Sequence, residues 1–280
     1  MSDDKKRLKM FTKLSEIIEY YQQYHLTKNK YQYRADNLRF FDAYDLANLR
    51  KKDVKEYAQL RRSKVSNATI NREVSFARAA INRVIDDYDI KLNNPFEKVK
   101  FIEADYIANY LNRQQYERLL KAALETANND LHDFIVLLTM TGCRPIELLT
   151  LKWSNVHLDK HQFIVRNHYS KTKRTMYKYL NQTAFNVLKN KSHDGDYVFT
   201  SPVTGGRYTT FTKTFARCKK RAGVQCTMYD LRHTYASWLV QTGVGIYTVK
   251  DLLGHGDIDS TMRYAHLDYA HLVSAVDLIN

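Results

Sequence analysis

Apolar side chains recur at intervals of three and four along the first hundred residues. Phe11, Leu14, Ile17, Ile18 and Tyr21 form one stripe, and Ile70, Val74, Ala77, Ile81 and Val84 form a second beneath a polar face of Asn71, Arg72, Ser75, Arg78 and Asn82. That period marks amphipathic helices with one buried side. Two more helices are expected near residues 30–44 and 51–62. Turn punctuation agrees, because all nine glycines lie at or after Gly142 and Pro95 is the only earlier proline. The reading is an all-α domain of four helices. The tract KLNNPFEKVKF around Pro95 reads as a connector, with the division falling between about 92 and 108, so residues 1–100 and 101–280 are taken as two domains.

The pattern changes beyond the connector. LNRQQYERLLKAAL and DLHDFIVLLTM are helical, whereas HQFIVRNHYS and TMYKYL alternate as the strands of a small sheet or hairpin. SHDGDYVFTSPVTGG is expected to be a strand flanked by turns. Helical segments follow near 209–222, 230–242, 246–254 and 257–265. Helices, a small sheet, then helices again predict a mixed α+β domain.

Charge adds a partner class. The 280 residues carry 44 Lys+Arg against 30 Asp+Glu, a net charge of +14, and both halves share the excess. Such a surplus suits a polyanion, although it also suits an ordinary solvated surface. No window approaches the roughly 18 to 20 apolar residues of a membrane span, and MSDDKKRLKM lacks the apolar core of a secretory signal. A cytoplasmic protein without a membrane role is expected. Cys143, Cys218 and Cys226 match neither a disulfide framework nor a zinc motif.

Four strings place charged or nucleophilic groups among apolar or turn residues. In TGCRPIELL, Pro145 suits a helix start whose free amides favour an anion. Arg144 there can hold a phosphate and Glu147 can orient it, although taken alone the string reads more readily as an ordinary cap with a surface arginine. In YSKTKR, Lys171 at a hairpin tip can reach a cleft and donate a proton, while Lys173 and Arg174 read as backbone contacts; simple solvation also explains all three.

In YDLRHTY, Tyr229 and Arg232 lie one helical turn apart and can address one phosphate. Asp230 and His233 read better as capping or core residues. In LGHGD and MRYAH, His255 sits between two glycines, and Tyr264 is a phenol that needs cationic neighbours and proton transfer before it attacks. Packing is the ordinary fate of any one of 21 tyrosines. Together the strings supply transition-state stabilisation, a nucleophile and a proton donor for phosphodiester transfer. There is no clustered carboxylate set for two-metal chemistry and no GxxxxGK[ST] loop for ATP. No cofactor or metal is expected.

TGCRPIELLTLKW, YDLRHTYAS, LLGH and MRYAH, in that order and spacing, resemble the tyrosine recombinase family of phage integrase-like enzymes. The likeness is specific over about residues 108–280, and the glycine-poor part looks like that family's helical core-DNA-binding domain. It implies Arg144, Lys171, Arg232 and His255 as catalytic residues and Tyr264 as the nucleophile, nine residues after His255. It also implies a supporting role for Glu147. One departure stands out: the family often has histidine three residues before its second arginine, and here that position is Tyr229. Phenol is a poor base near neutral pH, so Tyr229 is read as a phosphate-positioning residue and the general-base role is not transferred.

The resemblance further implies two transesterifications through a 3′-phosphotyrosyl bond at double-stranded recombination sites. It implies a homotetramer on two duplexes, served by an excisionase or DNA-bending accessory protein and acting at the bacterial nucleoid or in a phage-infected host. Arg72 and Arg78 are candidate DNA-backbone contacts. The tail after Tyr264, AHLDYAHLVSAVDLIN, is expected to form a helix that docks on a neighbouring protomer through an apolar side of Leu267, Leu272, Val276 and Ile279, with docking in cis as the alternative. Only about ten residues precede the first stripe, too few for a separate arm-binding domain. Integration or excision of a phage or mobile element is the favoured role. Xer-like chromosome or plasmid resolution, topoisomerase-like relaxation and a catalytically silent DNA-binding protein are the alternatives.

Overall fold

The structure is a computed structural model that describes residues 11–26, 31–104, 107–126, 128–166, 175–268 and 276. The chain divides into two compact units, residues 1–105 and 106–280. Among the described residues no helix is long and apolar enough to cross a membrane.

The first unit is helical: α1 (Leu14–His25), α2 (Gln32–Leu38), α3 (Lys51–Arg62) and α4 (Asn67–Tyr88). The α4 stripe of Ile70, Val74, Ala77, Ile81 and Val84 is fully buried and meets Leu14, Ile17 and Ile18 of α1 in one core. The helix expected over 30–44 stops as an α-helix at Leu38 and continues as a 3-10 turn over Arg39–Ala43. Glu73 is a carboxylate buried against this core. Glu73 accepts from the Tyr57 hydroxyl (2.7 Å), Arg61 Nη2 (2.6 Å) and Asn37 Nδ2 (3.0 Å), which offsets the desolvation of its carboxylate. On the opposite face of α4, Arg72 and Arg78 line an open groove of about 610 Å³ with Arg34 and Lys100.

The second unit holds α5 (Arg113–Leu124), α6 (Asn129–Thr141), α7 (Pro145–Leu149), β1 (Val156–His157), β2 (Gln162–Arg166), β3 (Thr175–Tyr179), α8 (Gln182–Asn190), α9 (Thr212–Ala222), α10 (Met228–Gln241), α11 (Ile246–Leu253) and α12 (Asp259–Met262). Leu131 and Phe134 through Leu138 are all buried, so α6 is the central helix, with α10 packed along it. The antiparallel sheet runs β1-β2-β3, with Ile164 opposite Tyr177. Its period places Met176 and Lys178 on the inner face of β3 and Tyr177 and Tyr179 outside.

Two expectations change here. SHDGDYVFTSPVTGG forms no strand; its pairing is limited to isolated bridges, Lys152 with Tyr197 and Thr200 with Arg207. Val198 and Phe199 are both buried, so consecutive side chains anchor a loop to the core and the alternation a half-buried strand needs is absent. The helix expected over 257–265 shrinks to the single turn of α12, followed by a 3-10 turn over Ala265–Leu267.

Candidate active site

The site is assembled where three helix ends meet the inner face of β3. Helix α6 stops at Gly142, whose φ of +60° is the left-handed turn that closes helices. A side chain there would also strike the Tyr235 ring, with Cε1 2.8 Å from the added carbon. Gly142 therefore turns the chain sharply into Arg144, the N-cap of α7, with Pro145 as its first residue.

Glu147 closes that first turn. Its Oε2 accepts the Arg144 backbone N–H (2.8 Å) and its Oε1 accepts from the Arg144 guanidinium (2.7 Å). An amide that the sequence reading offers to an anion is thus taken by the protein's own carboxylate. The same contact fixes one edge of the guanidinium, while 34% of the Arg144 side chain stays accessible.

Arg232, on α10, is only 5% exposed. It donates to the Gly142 carbonyl (2.5 Å) and to the Leu253 carbonyl (2.9 Å), joining the end of α6 to the end of α11. Both acceptors sit at the negative pole of a helix, which favours a cation. Burial, and after it the charge on Arg144, pull the guanidinium below its usual pKa range. Two cations that act on one another in this way make their surroundings attractive to a phosphate.

His255 follows Gly254, which closes α11 with φ +71°. Its Nδ1 lies 2.8 Å from Thr261 Oγ1. Burial first, then Arg232, Arg144 and Arg263, push its pKa down to about 4, so the imidazole is neutral at pH 7. Arg144, Glu147, Arg232 and His255 therefore form one electrostatic group.

Lys178 belongs to none of the four motif strings. It is 2% exposed, and its ammonium donates to the carbonyls of Leu252 (2.5 Å) and Leu253 (3.3 Å). Burial is the main cause that lowers its pKa to about 8, with Arg232 and Arg144 adding to it. A signal did exist: Met176, Lys178 and Leu180 share the inward parity of β3, so the lysine stands among apolar positions.

Tyr264 is 1% exposed in a small apolar cluster with Ala236, Val240, Val249 and Leu253. Its hydroxyl is hydrogen-bonded to His233 Nδ1, and the rings lie 5.8 Å apart. His233, expected as a core or capping residue, is partly buried and pairs with this buried phenol. The 100° step on α10 that turns it away from Arg232 puts it on the stripe of Ala236 and Val240, which faces Tyr264. Asp230 does cap the helix, its Oδ2 accepting the Thr227 N–H (2.8 Å).

Tyr229 is 53% exposed at the start of α10 and borders an apolar groove with Pro145, Leu149, Phe215 and Met228. Lys171, Lys173 and Arg174 lie outside the described residues; of the expected C-terminal helix only residues 265–268 and 276 are described, and Ala265–Leu267 form a 3-10 turn there. Beside Arg144, Lys152, Arg166 and Arg207 line a second groove of about 310 Å³.

The family model described as the phage integrase family matches residues 109–271, more than half of the sequence, and the chain belongs to that family. The chain is similar to tyrosine recombinase XerA of Thermococcus kodakarensis, 29% identical over 171 residues, covering 59% of this chain and 60% of that protein. It is also similar to a putative integrase of Pseudomonas phage Pf1, 31% identical over 190 residues, covering 66% of this chain and 53% of the relative. The matches thus span less than two thirds of these curated relatives. In fold it resembles the Tn1549 transposon integrase in complex with a circular intermediate DNA, with a TM-score of 0.75 and 19% identity over 91% of this chain and 95% of that one. A lambda integrase dimer bound to a core site aligns with a TM-score of 0.73 and 18% identity over 90% and 77% of the two chains. The N-terminal helical unit and the C-terminal mixed α+β domain are the two-domain fold of tyrosine recombinases.

Proposed function

We propose that this chain is a site-specific DNA recombinase that exchanges strands by transesterification. The observation that carries the reading is the grouping of Arg144, Arg232 and His255 within electrostatic reach of one another, in the unit that also buries Tyr264. Tyr264 attacks a backbone phosphate, forming a 3′-phosphotyrosyl bond and releasing a 5′-hydroxyl. A 5′-hydroxyl of the partner duplex then attacks that bond and restores the tyrosine. The linkage conserves bond energy, so no nucleotide hydrolysis drives the cycle.

Arg144 and Arg232 stabilise charge on the non-bridging oxygens, where hydrogen bonds aimed at the transition state contribute most. Glu147 holds Arg144 in place. Neutral His255 shares a hydrogen bond with the phosphate, Lys171 protonates the leaving 5′-oxygen, and Tyr229 positions the phosphate. Arg72, Arg78, Lys173 and Arg174 contact the DNA backbone. The active assembly is a homotetramer on two duplexes, aided by an excisionase or DNA-bending protein, with the C-terminal helix exchanged between protomers. The setting is the nucleoid or a phage-infected bacterium.

Integration or excision of a mobile element is the favoured role. Likeness to XerA keeps chromosome or plasmid resolution as the second reading. Two differently marked duplexes carrying the flanking repeats of the gene's own element test the proposal, with joined recombinant strands as the expected product. Relaxation without joining points to a topoisomerase, and binding without a covalent product points to a silent DNA-binding protein.

A further inference from the structure

Nucleophilic attack by a phenol requires that its proton go somewhere. The residue often used for that purpose in the family, three positions before the second arginine, is here the half-exposed Tyr229, a phenol itself. A group that does meet the Tyr264 hydroxyl is His233. We propose that His233 is a catalytic residue, the general base that takes the Tyr264 proton as the phosphotyrosyl bond forms and returns it when that bond is broken. The inference rests on Tyr264 being the nucleophile.

Several observations carry it. His233 Nδ1 is within hydrogen-bond reach of the reacting oxygen, which is the first requirement of a base. With its proton on Nε2, the neutral imidazole accepts from the phenol. The charged groups acting on it among the described residues are Asp230 and Arg232 from its own helix and Arg263 from the turn that carries Tyr264. Burial, with help from Arg263 and Arg232 and against Asp230, lowers its pKa below the usual 6.5, so it is in the accepting form at neutral pH. His233 stands mid-helix between the buried Arg232 and Thr234, so its backbone is rigidly placed relative to the phosphate clamp.

The step balances. The Tyr264 oxygen forms a bond to phosphorus, the bond from phosphorus to the 5′-oxygen breaks, the phenolic proton moves to His233 Nδ1, and the leaving oxygen takes a proton from the acid on its own side. In the reverse attack the tyrosine leaves and His233 gives the proton back.

The test is single-turnover cleavage of a nicked suicide substrate from pH 5 to 9, with DNA affinity measured separately, for the wild type, His233→Ala and His233→Gln. Peptide mapping of the wild-type adduct checks the nucleophile independently; an adduct elsewhere refutes the Tyr264 reading itself, whatever His233 does. With the adduct on Tyr264, the base assignment predicts losses of about 100-fold or more in both variants at unchanged affinity. It also predicts that the acid limb of the pH profile disappears and that added imidazole restores His233→Ala. His233→Gln retains a polar side chain of similar reach, so its failure alongside intact binding separates proton transfer from folding. Faster adduct formation in either variant would show that His233 only latches the tyrosine, and slower cleavage with an unchanged pH profile and no imidazole rescue would show a packing role. Either result overturns the proposal.

Discussion

Lys178 and Arg232 donate to the same acceptor, the carbonyl oxygen of Leu253. One arrives from the inner face of a strand and the other from the central face of α10, so the last turn of α11 is held from two sides just before His255. Burial works against both charges, but a guanidinium stays protonated across the working pH range, whereas a lysine ammonium can lose its proton.

That difference sets a pH dependence for Lys178. Its folded pKa of about 8 lies below the 10.5 of an ordinary lysine, so between those values the unfolded chain binds more protons and stability rises with pH. Relative to Lys178→Met, the wild type is expected to gain about 2 kcal/mol between pH 7.5 and 10, as the buried ammonium becomes an uncharged donor. Urea titrations of both proteins across that range measure it. A constant difference would mean that the lysine keeps its normal pKa.

Gly254 is required twice over. Its φ is +71°, and a side chain there would collide with the Met176 sulfur on β3. Gly254→Ala is expected to cost about 2 to 4 kcal/mol from strain and overlap together. Adding Met176→Ala should recover the overlap but leave the backbone strain, and thermal unfolding of the single and double variants separates the two.

Glu147→Gln removes the charge that anchors Arg144 while keeping a side chain able to accept the backbone N–H. Cleavage is expected to fall about 10-fold, with DNA affinity changed by less than about 2-fold, because a charge-assisted contact is weakened at a residue that acts on the transition state. Parallel single-turnover and binding assays report the two quantities.

His255 should remain uncharged in the free protein down to about pH 4. The unfolded chain protonates near 6.5, so this residue's contribution to stability is present above that value and is lost as pH falls toward 4. Arg144→Gln removes one of the cations that depress it and should move its pKa upward, which histidine proton NMR titration detects directly.

The parts of this architecture set by local rules were readable in the chain. Helix α3 occupies the expected Lys51–Arg62, and the stripes of α1 and α4 face the core because a 3.6-residue period admits only that side. What stayed hidden depends on partners distant in sequence. Glu73 looks like one more surface acid until Arg61, Tyr57 and Asn37 converge on it. Lys178 looks like a strand-edge cation until the end of α11 supplies two carbonyls. The run at Val198 and Phe199 has strand-like composition, yet both residues point inward from a loop. At the site, Arg144 and Arg232 stood out through their motifs, whereas the pairing of His233 with Tyr264 needs the approach of α10 and the turn after α12, which spacing alone does not encode.

The claim on which the rest depends is that Tyr264 becomes covalently joined to DNA. The most direct measurement is a nicked suicide substrate incubated with wild-type protein and with Tyr264→Phe, followed by protease digestion and mass spectrometry of the DNA-linked peptide. The account predicts an adduct on the peptide containing Tyr264 in the wild type, and none in Tyr264→Phe at unchanged DNA affinity. An adduct on any other residue, or one that persists in Tyr264→Phe, would contradict it.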